Sequence, residues 1–345
     1  MRAVSVLLFA ALVLLMGTVF MRAYELRGAY QASLFAATQA RGVAARVEAT
    51  LAADAVQEAR ASSTILFAGD VMLSRGVAGE VVRRGGDYAF PFRLIASTTA
   101  PASFFLGNLE GPLSEGGKDM GNPYSFRAAP RFVEGLLFAG FDAVTLANNH
   151  IFDWGREALR DTVGILHNAD IHTVGAGRNE EEANAPLIVD LPGARVAFVG
   201  YTNLNPKSYE AQGDRAGTSN SDAEVLLAAV RRLHREADVV VVTVHWGQEY
   251  RTRATDAQRA FGEQLIDAGA DLVVGHHPHV VEELQQYHGG WIAYSLGNFV
   301  FDQTFSEETN RGAMLHVNVW RHAIDSVRLA PIRINENFQP YSVPL

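Results

Sequence analysis

Five apolar runs in this chain each end on residues able to bind a metal or move a proton. Ile65-Leu66-Phe67-Ala68 leads into Gly69-Asp70, and Phe104-Phe105-Leu106 into Gly107-Asn108-Leu109-Glu110. Ala143-Val144-Thr145-Leu146-Ala147 leads into Asn148-Asn149-His150, and Val239–Val244 into His245-Trp246-Gly247-Gln248-Glu249. Leu272-Val273-Val274 leads into Gly275-His276-His277-Pro278-His279, which holds three of the chain's 11 histidines. Amphipathic segments at about 131–139, 156–167, 222–236 and 256–268 lie between the runs and read as helices. Apolar runs alternating with such segments predict βα units and an α/β fold. In open α/β sheets, ligands collect outside the carboxyl ends of the strands. The pattern therefore predicts that Asp70, Glu110, Asn149, His245, His277 and His279 share one sheet edge.

The chemistry follows from the residue types. The chain has no cysteine, which excludes disulfides, thiolate metal sites and a Cys nucleophile. Asp, Glu, Asn and several His form a nitrogen and oxygen set suited to Mn, Fe or Zn, with too many imidazoles for a calcium site. Carboxylates in such a set bridge two ions about 3.5–4 Å apart in centres that attack phosphoesters. Asn149 reads as a ligand, and the adjacent His150 as the group that protonates a leaving oxygen. Taken singly, each residue also has a plainer role. Asp70 serves as a cap or turn residue, Glu110 as a solvated turn, and Asn149 as a turn residue tolerant of left-handed backbone. His245 serves as a satisfied core histidine.

In order along the chain, Gly69-Asp70-Val71-Met72-Leu73, Gly107-Asn108-Leu109-Glu110, Asn148-Asn149-His150, His245-Trp246-Gly247-Gln248-Glu249, Gly275-His276-His277-Pro278-His279 and Ser295-Leu296-Gly297-Asn298-Phe299 resemble the motifs of the CapA-type capsule synthesis proteins. These form the poly-γ-glutamate biosynthesis family, related to the calcineurin-like metallophosphatases. The resemblance runs from about Ser63 to Phe305. It implies a metallophosphatase-like four-layer αββα sandwich and a role in capsule or polyglutamate production or export at the outer face of a membrane. It implies metal ligation by Asp70, Asn149, His245, His277 and His279, and a transition-state role for His150. Two positions depart from the metallophosphatase pattern. Met72 stands where the first motif has a histidine, and Asn108 where the second supplies a bridging aspartate. A single ion, or a pair bridged by Glu110, is the resulting expectation, and the mapping leaves His276 without a role.

The N-terminus carries a targeting signal. Ala3 to Met21 has no charged residue and is bracketed by Arg2 and Arg22. That is close to the ~20 apolar residues a spanning helix needs, and no small-residue cleavage site follows. The expectation is an uncleaved single-pass anchor over residues 1–22 with the rest of the chain outside the cytoplasm. Residues 23–62 are Ala-rich without proline and read as a helical stalk, with Leu34, Val43, Val47, Leu51 and Val56 only loosely at helical spacing. Residues 63–345 form the expected catalytic-type domain. After Arg311, Met314–Val319 and Val327–Ile334 alternate as strands that complete a sheet.

Arg75 and Arg127 are candidate forks for an anionic polymer or phosphoester, with surface ion pairing as the alternative. Asn298 is a candidate pocket residue. Trp246 and Phe299 read as core or pocket wall, and Asp302 as a turn residue. The net charge of −9, without a Lys/Arg run, argues against nucleic acid. No Gly-x-x-x-x-Gly-Lys-[Ser/Thr] loop occurs, so the chain lacks the nucleotide site that an ATP-driven polymer synthetase needs. Two readings remain. One is an extracytoplasmic metal-dependent hydrolase. The other is an accessory subunit of a membrane complex for polymer synthesis, whose metal site is structural or binds polymer.

Overall fold

The computed structural model describes residues 2–343; no side chain is described at 2–13, 24, 31, 32, 35 and 51–60. The chain divides into two compact units, Met1–Arg60 and Ala61–Leu345. The first is one helix, α1 (Arg2–Arg60), with no break between the expected anchor and stalk. Its described apolar side chains, such as Leu14, Val19 and Phe20, are exposed. Among the described residues no helix is long and apolar enough to cross a membrane. Much of the expected anchor, and Leu51 and Val56 of the stalk pattern, lie outside the described side chains.

The second unit opens with β1 (Ser62–Val71), α2 (Arg75–Arg83), α3 (Ala96–Thr99), β2 (Phe104–Leu109), α4 (Phe132–Ala139), β3 (Ala143–Thr145), α5 (Gly155–Asn168) and β4 (His172–Val174). It continues through β5 (Ala176–Gly177), α6 (Glu180–Asn184), β6 (Leu187–Leu191), β7 (Ala194–Thr202), β8 (Gly217–Thr218), α7 (Ala223–Leu233), β9 (Val239–His245), α8 (Asp256–Asp267) and β10 (Leu272–His276). It closes with β11 (Leu284–Tyr287), β12 (Gly290–Ala293), β13 (Asn298–Val300), β14 (Arg311–Trp320), β15 (Ala323–Ile334) and β16 (Pro340–Ser342). One mixed sheet has the order β16-β15-β14-β1-β2-β3-β4, with β13 also paired to β1. A second has the order β11-β12-β10-β9-β7-β6.

Residue alternation explains how these layers stack. Strands bury opposite faces with successive residues. In β1, Ile65 and Phe67 join a core shared with Val239 and Val241 of β9 and Leu272 and Val274 of β10. The two sheets therefore pack face to face. Leu66 and Ala68 point the other way, into a core with Val77 of α2, Leu136 of α4 and Leu159 of α5. Val240, Val242 and Val273 likewise meet Leu227 of α7 and Leu265 of α8. The order is helices, sheet, sheet, helices. The nearly continuous Val run of β9 is what a strand buried on both faces requires.

One expectation about strand ends needs correction. Asp70 lies inside β1, not beyond it, because β1 continues pairing with Asn108 of β2 and Asn298 of β13 at that residue. Gly69 makes this possible. A Cβ there would lie 1.9 Å from the Gly297 carbonyl oxygen, the same oxygen that accepts from the Asp70 N–H. The predicted late strands are present, with β14 antiparallel to β1 and β15 antiparallel to β14.

Candidate metal centre

The C-terminal ends of β1, β2, β9 and β10 meet across the gap between the sheets, and their polar side chains form one buried network. Asp70, wholly buried, accepts from Asn108 Nδ2 at 2.8 Å and from the His277 N–H at 3.3 Å. His279 Nδ1 is 3.2 Å from the second Asp70 oxygen, and His279 Nε2 is 3.6 Å from Glu110 Oε1. Asn108 Nδ2 also reaches His245 Nδ1 at 3.3 Å, and His245 Nε2 reaches Asn149 Oδ1 at 2.8 Å. Asp70, Glu110, Asn149, His245, His277 and His279 thus converge as the strand ends predicted.

Backbone anchors determine the amide orientations. Asn148 Oδ1 accepts from the His150 N–H, and its Nδ2 donates to the Leu109 carbonyl and to Asn108 Oδ1. Asn108 must therefore turn its NH2 toward Asp70, Glu110 and His245. An amide NH2 donates and does not ligate, so the position expected to bridge two ions by an aspartate has no bridging group. Glu110 supplies the second carboxylate instead.

Burial and charge set the protonation of the cluster. Burial raises Asp70, but hydrogen bonding and charge from His276 and His279 outweigh it and hold its carboxyl well below the usual range. Burial drives Glu110 well up, with His279 opposing and Asp70 and Glu249 adding to the rise. Burial, together with neighbouring imidazoles, holds His245 well below its ordinary value and His277 at about 4. Burial also pulls His279 down, but Glu110 and Asp70 more than reverse this and lift it to about 9. Neutral imidazole is the form that binds a metal. His279 must give up a proton first, and Glu110, raised by burial, must be ionised to ligate.

The unmet hydrogen bonds test whether this pocket suits a cation. Buried side-chain polar atoms nearly always have a partner. Six among the described residues have none, and four of them are here: Glu110 Oε1, both ring nitrogens of His276, and His277 Nδ1. Ligand atoms of Asp70, Glu110 and His279 lie within 4.8 Å of one another, and so do those of Glu249, His277 and His279. Lone pairs without donors, aimed into one dry space with two carboxylates, fit a divalent ion. The backbone is strained at the same place. His277 and His279 hold φ of 99° and 59°, in the left-handed region that costs a non-glycine residue energy.

Beside the cluster, His150 Nδ1 is 2.7 Å from Asp153 Oδ2 and its ring stacks on Phe126 at 4.0 Å. Asp153 is buried and also accepts from Asn122 Nδ2 and the Phe126 N–H. A carboxylate so placed makes Nδ1 the protonated nitrogen and leaves Nε2, 3.9 Å from Glu110 Oε1, for proton exchange. A cavity of about 200 Å³ opens here, lined by Arg75, Phe126, His150, Glu249, Tyr250 and His279 among others. A separate cavity of about 270 Å³ beside Trp246, Gln258 and Phe261 has no titratable side chain in its lining. The chemistry therefore belongs to the smaller one.

Residues 64–303 match the family described as bacterial capsule synthesis protein PGA_cap. The chain belongs to that family. It is 32% identical over 273 residues to PGA biosynthesis protein CapA of Bacillus subtilis (strain 168), covering 78% of this chain and 71% of that one. It is 34% identical over 281 residues to capsule biosynthesis protein CapA of Bacillus anthracis, covering 79% and 68%. A probable polyglutamine synthesis accessory protein of Mycobacterium tuberculosis is 28% identical over 325 residues, covering 79% and 85%. The segment matched to PGA_cap holds every residue of the centre, from Asp70 to Asn298, and leaves out α1 and β14–β16.

Two expected substrate residues of this PGA_cap chain have other work. Asn298 is wholly buried; its Nδ2 donates to Gln303 and the Thr309 carbonyl, and its Oδ1 lies 3.0 Å from His279 Nδ1. An acceptor there makes His279 Nδ1 the donor and turns Nε2 toward Glu110, so Asn298 is placed to orient His279. Arg127 donates to the Glu115 and Gly116 carbonyls and stacks on Trp154 at 3.4 Å, which engages its guanidinium away from the cavity. Arg75 does line the cavity, ion-paired to Asp302 and 4.8 Å from the Phe126 ring centroid. Asp302 also accepts from the Gly76 N–H, a structural role beyond a turn. Trp246 and Phe299 are buried core. Sequence reasoning gave no role to Asp153, although its i,i+3 spacing from His150 puts it in reach, nor to Glu249, which the His245-Trp246-Gly247-Gln248-Glu249 motif contains.

Proposed function

We propose that Ala61–Leu345 is a metal-dependent hydrolase of phosphoester-type bonds with a metallophosphatase-like fold, working in capsule or poly-γ-glutamate production. One observation carries this reading. A dry cluster with unmet lone pairs lies against a His–Asp pair and an open cavity. Asp70, Glu110, His277 and His279 would hold the ion, with Asn149 and His245 beside them. Mn, Fe or Zn, one or two ions, suits these donors. When bound, a divalent cation supplies Lewis acidity toward the substrate oxygen and eases deprotonation of water.

The chain's own groups do the rest. Arg75 presents N–H groups at the cavity wall to an anionic oxygen of the substrate. Tyr124, Tyr250 and Phe305 line the same cavity and narrow its access to water. As the water oxygen bonds to phosphorus and the P–O bond breaks, the departing oxygen takes the proton from His150 Nε2, and the proton lost from the attacking water passes to solvent, from which His150 is reprotonated. Asp153 stabilises the imidazolium before transfer and keeps the ring oriented. The partners in this reading are an anionic polymer or phosphoester and a synthesis complex at the membrane. The test is metal analysis of full-length protein in detergent, with hydrolysis of simple phosphomonoesters and phosphodiesters before and after chelation. Turnover that chelation abolishes and metal restores is expected. A metal-loaded protein cleaving neither ester sinks the hydrolase reading.

The uncharged stretch Ala3–Met21 supports a membrane-anchored, extracytoplasmic placement. Protease added to intact spheroplasts should then digest residues 61–345, and a fully protected domain would refute the placement.

A second reading has an observation of its own. The NH2 of Asn108, where a bridging carboxylate is expected, favours an accessory subunit whose metal is structural or holds polymer. In that case metal binds and no ester is cleaved.

A further inference from the structure

We propose that His276 is a metal ligand of this centre, standing in for the histidine that Met72 replaces. The inference rests on the reading of the cluster as a metal site, and goes beyond the His277-Pro278-His279 pair that the family motif supplies.

Strand parity places the residue. Leu272 and Val274 of β10 face the opposite sheet, as do Val239 and Val241 of β9. Continuing by twos, to His276 past Val274 and through Thr243 to His245, both histidines keep that parity, and they are register partners. Neighbouring parallel strands therefore aim both imidazoles across the gap at β1 and β2. His245 finds hydrogen-bond partners there, in Asn108 and Asn149. His276 finds none for either ring nitrogen, although it is only 1% exposed. Its Nδ1 lies 3.5 Å from Asp70 Oδ1, the oxygen turned away from His277 and His279. A buried imidazole with only a long contact from Nδ1 to a buried carboxylate and no partner for Nε2 has room for a cation beside them.

The first motif leaves the vacancy that His276 would fill. Met72 is fully buried, and its sulfur accepts from the Ser74 N–H and Oγ at 3.1 and 2.9 Å. It is thereby engaged in the turn after β1, and β1 offers the ion only Asp70. His276 lies outside the Asp70–Glu110–His279 group whose ligand atoms fall within 4.8 Å of one another, and it would join from the Asp70 Oδ1 side, giving two carboxylates, Asp70 and Glu110, and three imidazoles, His276, His277 and His279. That set neutralises a divalent ion and suits Mn, Fe or Zn.

The experiment uses full-length His276→Ala and His276→Gln proteins in detergent, with His316→Ala as a half-buried histidine that also has an unpartnered nitrogen. Mn²⁺ affinity is measured by titration, and thermal unfolding is followed in EDTA and in Mn²⁺. Both His276 variants should bind Mn²⁺ at least about 10-fold more weakly, since even groups that merely orient ligands cost that much. The Mn²⁺-induced rise in melting temperature should shrink in both, while melting in EDTA matches the wild type or improves. His316→Ala should keep full affinity. Unchanged affinity in the His276 variants overturns the proposal and leaves the metal site standing. Variants unfolded in EDTA, where the wild type is folded, show a packing role and overturn it too. A wild type that binds no Mn²⁺, Zn²⁺ or Fe²⁺ overturns the metal site itself.

Discussion

Replacing His150 by alanine should lower turnover by about 100-fold or more while leaving metal content unchanged. The reason is geometric. His150 Nδ1 is committed to Asp153 at 2.7 Å, and the nearest carboxylate oxygen to its Nε2 is Glu110 Oε1 at 3.9 Å, too far for a hydrogen bond. The ring faces the cavity, stacked on Phe126, and lies beside the ligand cluster as a proton carrier. Its loss removes a proton from the departing oxygen and takes nothing from the ion. Asp153→Asn should fall in the same direction with metal retained, because the amide can present its NH2 to Nδ1 and select the wrong tautomer. Esters whose leaving group needs no proton, such as p-nitrophenyl esters, should lose less in either variant than alkyl esters. Equal losses for both classes of ester would remove His150 from proton transfer. An ester-cleaving wild type matched by a fully active His150→Ala protein would remove it from catalysis.

The layers and most of the centre were legible because each rests on a local pattern. Alternation along Ile65–Ala68 and Val239–Val244 decides which side chains meet the other sheet, and it needs no knowledge of partners. The convergence of Asp70, Glu110, Asn149, His245, His277 and His279 follows from strand ends sharing one edge. What could not be read depends on partners distant in sequence. Asn298 orients His279 only because β13 pairs with β1 at Asp70, a contact across 228 positions. Arg127 is engaged by two carbonyls and the Trp154 ring, and none of these is visible from its neighbours. The inward NH2 of Asn108 is set by Asn148, which takes its own orientation from backbone at Leu109 and His150. His276 is the exception, since counting by twos from Leu272 already aims it inward. The two-residue strands β5 and β8 are too short for periodicity to register, while the nine-residue strand β7, paired with β6, went unpredicted despite its length.

Metal affinity should rise steeply with pH, and Asp70 should be the group that sets the slope. In the metal-free protein, Glu110 and Asp70 hold a proton on His279 up to about pH 9. An ion taking His279 must displace that proton, so between about pH 7 and 9 each unit of pH should strengthen binding about 10-fold. Above about pH 9 His279 is already neutral, and its share of the dependence should end. A site whose histidines are all neutral at pH 7 would show no such rise, and burial with neighbouring imidazoles puts His245 and His277 in that state. Titration calorimetry in buffers of different ionisation enthalpy counts the released protons directly, with about one expected from His279 per ion at pH 7.5 and any further release coming from Glu110. Asp70→Asn keeps the shape and removes the charge. It should weaken binding about 100-fold or more and reduce proton release, because His279 loses one of the three carboxylates, Glu110, Asp70 and Glu249, that raise it. Activity should fall with metal occupancy, unlike in His150→Ala, where the two separate. Binding that is flat from pH 7 to 9, or Asp70→Asn protein with wild-type affinity, would mean that the ion does not displace the His279 proton and that Asp70 does not hold it.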